Sequence, residues 1–289
     1  MPNNIIINQL INSSKYINLK PTLSHRLNKK LAIKYLSLQP NDESRFFALL
    51  ALKYTKYVNF NNFYNNLLNS INLFNNLANT KSSLIIPTDA IKKLSSELWT
   101  FLLAYDKFSD KIQEISTEIS NNNIVLIDDA LYSGMHMANN IYNIVSKTDT
   151  KFTFHIIAPY VTLNSMDYIR KTFYKHNIIF YYSYIMKPFK SLILKDFMDK
   201  FHLNKKDALK LINKVGESFL IEEQVNPVAI YFDHKIPDEF SSICSIYLGI
   251  VSNYKTNSEV KFFRPLINNF DIRPFYKDEL KKIIDNPVI

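Results

Sequence analysis

The sequence predicts an α/β protein built on a doubly wound, mostly parallel sheet of about five strands, with a helical N-terminal region and a helical insertion. Three observations carry this. From residue 82 onward, short apolar runs alternate with amphipathic stretches. Residues 124–127 are wholly apolar, as a strand covered on both faces must be. Before residue 80 the periodicity is helical, with apolar residues three and four apart.

The elements follow in order. Over 44–57, Phe46, Leu49, Leu50 and Leu52 form an apolar stripe, and 60–77 repeats it with Phe63, Leu67, Leu68, Ile71 and Phe74. Residues 83–87 predict the first strand. A helix over 95–119 comes next, with Leu98, Leu102, Tyr105, Phe108, Ile112 and Ile115 on one side and Ser95 or Ser96 as its cap. Strand 124–127, helix 135–145, strand 152–158, helix 163–174 and strand 178–184 continue the alternation. Residues 186–226 are Lys-rich and too long for a simple connection, so they read as a helical insertion or lid. Within them a helix over 205–215 starts at Asn204 and ends at Gly216. Residues 228–232 predict a fifth buried strand. The division expected is a basic helical region over 1–80 and an α/β domain over 81–289.

Composition narrows the class. No run of eighteen apolar residues occurs, and the first residues lack the basic-then-apolar order of a secretory signal, so an intracellular, cytoplasmic protein with no membrane partner is expected. The single cysteine, Cys244, excludes an intramolecular disulfide and a cysteine-rich zinc site. Residues 1–60 carry nine Lys and Arg against Asp42 and Glu43. Such an end suits RNA contact, but no aromatic-basic motif of an RNA-binding module accompanies it, and a solvated helix face is the simpler account.

The chemistry concentrates at residues 124–136. In an open parallel sheet, ligands bind beyond the carboxyl ends of the strands. Here two adjacent acids, Asp128 and Asp129, leave the strand end, and two acids are the acceptors that vicinal ribose hydroxyls need. Ser133 and Gly134 follow and then a helix, whose opening N–H groups form an anion nest. Gly134 is one of only three glycines in the chain, with Gly216 and Gly249.

This arrangement resembles the phosphoribosyl pyrophosphate (PRPP) loop of type I phosphoribosyltransferases: four apolar residues, two acids, three variable positions, a small hydroxyl residue and Gly. The resemblance implies that Asp128 and Asp129 hold the ribose hydroxyls and that Ala130, Leu131, Tyr132, Ser133 and Gly134 wrap the 5′-phosphate. Two positions depart from the family pattern: Ala130 replaces a larger aliphatic residue, and His136, itself able to donate to phosphate, replaces a second hydroxyl residue. The resemblance also implies Mg2+ carried with PRPP and no direct protein ligand to a metal. It extends over residues from about 82 to 250 and includes uncharacterised phosphoribosyltransferase-like proteins of large DNA viruses.

Two further segments are weighed against the same family. Asp89, Lys92 and Lys93 follow the first strand, where the family binds pyrophosphate, although the usual glycine is missing and a capped, solvated turn accounts for them as well. Asp233 and Lys235 follow the fifth strand, where purine-using members face the base. Asp233, His234 and Asp238 lack metal-ligand spacing. The family's flap between the second and third strands has no room, since helix 95–119 runs almost directly into strand 124–127. The expectation is a protein that binds PRPP or a nucleotide, with transfer activity left open; the alternative is a non-catalytic interaction or RNA-binding protein that uses the basic N-terminal region.

Overall fold

A computed structural model describes residues 29–87, 90, 95–117, 119–217 and 228–232. Along the chain these form α1 (Lys29–Ser37), α2 (Asp42–Tyr54), β1 (Lys56–Val58), α3 (Phe60–Leu77), β2 (Ser82–Ile85), α4 (Ser96–Ala104) and β3 (Ile112–Ser116). Then come β4 (Asn123–Ile127), β5 (Ala130–Leu131), α5 (Met135–Val145), β6 (Thr153–Ile157), β7 (Tyr160–Thr162), α6 (Leu163–Thr172), β8 (Asn177–Tyr181) and β9 (Tyr184–Met186). The last are α7 (Phe189–Phe201), α8 (Lys205–Glu217) and β10 (Ile230–Phe232). Among the described residues no helix is long and apolar enough to cross a membrane.

The chain divides into two compact units. Of the described residues, one contains those of 61–186, the other 29–60 together with 187–217 and 228–232. This boundary differs from the expected break at residue 80. The reason is pairing: β10 lies parallel to β1, Lys56 opposite Ile230 and Val58 opposite Phe232. Residues 228–232 are therefore a buried strand, as expected, but not the fifth strand of the main sheet. Residues 187–217 likewise belong with the N-terminal helices instead of forming an insertion in the sheet unit.

The sheet unit holds a five-stranded sheet in the order β3-β2-β4-β6-β8, every neighbouring pair parallel. Its fifth strand is β3, in the stretch expected to be helical through 119. That helix ends at Ala104, and a single 3-10 turn over Tyr105–Lys107 redirects the chain to the sheet edge. Alternation places helices on both faces. Ile124, Leu126, Phe154 and Ile156 join Met137 and Ile141 of α5 and Met166 and Ile169 of α6 in one buried cluster. On the opposite face Phe74 of α3 packs edge-on against His155 and Tyr181, and Phe63 stacks on Tyr160 at 6.2 Å. Phe63, Leu67, Ile71 and Phe74 are fully buried, and each contributes about 1.5–3 kcal/mol by leaving water.

Three neighbouring strands share one further feature. After two residues, β4, β6 and β8 each continue into a short strand, and these pair in parallel as β5-β7-β9. The intervening residues are Asp128-Asp129, Ala158-Pro159 and Tyr182-Ser183. Strand 178–184 is thus two strands broken at Tyr182.

The other unit packs helices around aromatic rings. Phe46 of α2 meets Phe197 of α7 at 5.3 Å, and Phe47 meets Phe189 at 5.4 Å. Asn41 caps α2 by accepting from the Ser44 amide, and Asn204 accepts from the Asp207 amide at the start of α8, as its sequence position predicted. Gly216 does not end α8, which runs on to Glu217.

Candidate functional site

Strand order locates the site. From β2 the chain steps outward to β3, then crosses back to β4 on the other side of β2. The order reverses between β2 and β4, and the carboxyl ends of strands at such a reversal are the position at which open α/β sheets bind ligands. Asp128 and Asp129 leave β4 there. Both are buried, at 4% and 1% exposure. The Asp128 amide donates to the Ile157 carbonyl (3.0 Å), and the Asp129 amide donates to the Asp128 carboxylate (2.8 Å). Two hydrogen bonds thus fix the backbone at the acid pair.

Ala130 and Leu131 are strand residues, opposite Tyr160 and Val161, with buried side chains. The segment expected to wrap a phosphate is therefore shorter: Tyr132, Ser133 and Gly134 make the turn, and α5 begins at Met135. The turn is tied to the start of α6. Thr162 Oγ1 donates to the Tyr132 carbonyl (2.6 Å), and Ser165 Oγ lies 3.1 Å from the Leu131 carbonyl. The Ser133 hydroxyl accepts from the Met135 amide at 3.3 Å.

Gly134 has a φ of +82°, and a Cβ there would lie 3.0 Å from the Ser165 carbonyl oxygen. Both the left-handed backbone and the approach of α6 demand glycine. Packing of the protein against itself thus explains Gly134 without a ligand. The same conformation still directs the chain into the first turn of α5, whose N-terminus favours an anion.

One side chain beside Asp128 and His136 has no clear signature in the sequence. Glu97, in the first turn of α4, is only 3% exposed. It is paired with His136 Nε2, accepts from Ser95 Oγ, and accepts from Asn140 Nδ2 at 3.1 Å. Burial alone would raise its pKa, but the hydrogen bonds from His136 and Ser95 outweigh this and hold it at about 2. An acid in a first helical turn reads as a response to the helix dipole, which hides its burial. The detectable signal lay on α5, where His136 and Asn140 stand four apart and so share a face.

Glu97, Asp128 and His136 bring one ligand atom each within 4.8 Å of one another. The His136 side chain is 59% exposed and forms the open side of this group. Three protein donors meet the Glu97 carboxylate, so a metal ion held by these three residues would replace the hydrogen bond between His136 and Glu97.

Asp89, Lys92 and Lys93 lie outside the described residues, as do Asp233 and Lys235. The strand that precedes Asp233 pairs with β1, so the expectation that these two residues leave the main sheet's edge loses its basis. A second strand, β3, does exist before β4, so the expectation that a helix over 95–119 runs almost directly into strand 124–127 is corrected. Of the basic residues in 1–60, Arg45 is buried and donates to the Leu36 carbonyl (3.2 Å), and Lys53 is held by Asp196 (2.7 Å). Residues 1–28 lie outside the described residues. Set against family models, curated proteins and solved structures, the chain matches none.

Proposed function

We propose that the protein binds a phosphorylated ribose, as PRPP or a nucleotide, through residues 124–136. The observation that carries this reading is the joint placement of the Asp128-Asp129 pair and the N-terminus of α5 after β4, at the sheet edge where the strand order reverses. In this reading the two carboxylates accept from the ribose hydroxyls, and the Ser133 hydroxyl and the amides opening α5 receive the phosphate. His136 stands at the open side on its Glu97 partner and supplies a further donor. Mg2+ would arrive on the ligand's own phosphates and neutralise them. Binding is the function proposed; no described residue is assigned a step of group transfer.

Calorimetric titration with Mg-PRPP and with a nucleoside monophosphate tests this. Wild type should bind one of them, and Asp128→Asn or Asp129→Asn should weaken binding roughly ten- to a hundredfold, since a hydrogen bond to a charged group is worth about 1.5–3 kcal/mol. No heat with either ligand, or unchanged affinity in both variants, would overturn the reading.

A further inference from the structure

The net charge of the protein is unevenly placed along the chain. Residues 61–186 contain ten Lys and Arg and ten Asp and Glu, so this stretch is neutral, and the whole formal charge of +9 lies outside it. The hairpin of α7 and α8 shows how that charge is displayed. Residues 187–217 contain eight lysines and four acids. Lys187, Lys195, Lys205, Lys206, Lys210 and Lys214 are exposed, whereas Asp199 is the one fully exposed acid among their described residues. Asp196 is spent on Lys53 and Tyr54, each at 2.7 Å.

On α8 the separation is sharpest. Ala208, Ile212 and Val215 are buried on one side. Lys206, Lys210 and Lys214 stand four residues apart on the opposite side, about 6 Å between successive positions along the axis. Lys210 has only a 3.9 Å contact to half-exposed Asp207, which is worth little in water. None of the exposed large apolar side chains of the described residues lies in 187–217. A membrane-binding helix inserts an apolar face; the apolar face of α8 is already used in packing, and what remains is a row of point charges.

We propose that the Lys206-Lys210-Lys214 face of α8 binds the phosphate backbone of a nucleic acid, without reading its bases. Charge complementarity to a polyanion is the argument, and contacts made by lysines alone are sequence-independent and salt-dependent. This surface is distinct from the ribose-phosphate site and stands whether or not that site binds its ligand.

The test is fluorescence anisotropy of the full chain with a labelled mixed-sequence oligonucleotide, as single strand and as duplex, at salt between about 50 and 200 mM. Wild type should bind at least one form, more weakly as salt rises. The Lys206→Gln/Lys210→Gln/Lys214→Gln variant should lose roughly tenfold or more in affinity at low salt, with the logarithmic salt slope reduced by about two to three. A Lys→Arg triple variant at the same positions should keep wild-type affinity. Lys147→Gln/Lys171→Gln/Lys175→Gln, which removes the same charge from exposed positions of the neutral stretch, should change affinity less than about twofold. The proposal is overturned if wild type binds neither form, if it binds phosphatidylserine vesicles but no oligonucleotide, if the Arg variant loses affinity, or if both Gln variants lose it equally.

Discussion

The two units use charge in opposite ways. Over residues 61–186 the sheet unit balances its acids and bases and buries Glu97, Asp128 and Asp129 close to the carboxyl end of β4. The helical unit keeps its excess charge outside and buries aromatic rings. Charge in the first is local chemistry, directed by hydrogen bonds over about 3 Å. In the second it is a field that reaches a Debye length of roughly 10 Å and depends on salt. Substitutions in the sheet unit should therefore act through geometry, and those on α8 through ionic strength.

The largest effect expected is at Gly134. Gly134→Ala forces a Cβ against the Ser165 carbonyl and a side chain onto a left-handed backbone, at a cost of about 3 kcal/mol. Thermal unfolding followed by circular dichroism should show the loss; an unchanged midpoint would mean that α6 yields and that the turn is not packed as described.

Acid pH should act next, through two buried groups of the sheet unit. His155 is buried between Phe74 and Tyr181, and desolvation lowers its pKa to about 4. Its Nδ1 shares a hydrogen bond with the Tyr181 hydroxyl, and its Nε2 meets no partner among the described residues. As pH falls from 6.5 towards 4 the unfolded chain takes up a proton that folded His155 refuses, so stability falls across that window, by roughly 2–3 kcal/mol. Glu97 adds a second loss, between its ordinary value of 4.5 and about 2, where its hydrogen-bonded carboxylate is finally protonated. Denaturant midpoints measured against pH should show both steps. The upper one should flatten in His155→Phe and the lower one in Glu97→Gln.

The smallest effect belongs to the helical unit. Asp196→Ala removes the partner of Lys53 and Tyr54, but both partners are partly exposed, so the cost is about 1 kcal/mol or less. A larger loss would show that this unit, too, depends on a specific polar contact.

Legibility differed element by element. Helix 60–77 matches α3 and 135–145 matches α5, because an apolar stripe of period 3.6 is a property of neighbouring residues and survives any packing. The same criterion failed at 112–116. Ile112 and Ile115 continue the stripe of α4 on paper, yet the chain there pairs with β2, a partner 30 or 31 residues earlier. β1 was hidden for the same reason: Lys56 and Tyr57 extend the pattern of α2, and only β10 reveals them as strand. At the candidate site Asp128, Asp129, Ser133 and Gly134 were readable because they lie within one turn, whereas Glu97 is brought to them from α4.

What the sequence determined by itself was the alternating α/β class, the periodic helices, the apolar strand before Asp128, and the excess of positive charge. Each is a local or summed property. The tertiary structure decided which strand is fifth in the sheet, where the two units divide, and that Glu97 joins His136. These depend on pairings between residues far apart in the chain, whose free energy comes from partners that no local window contains.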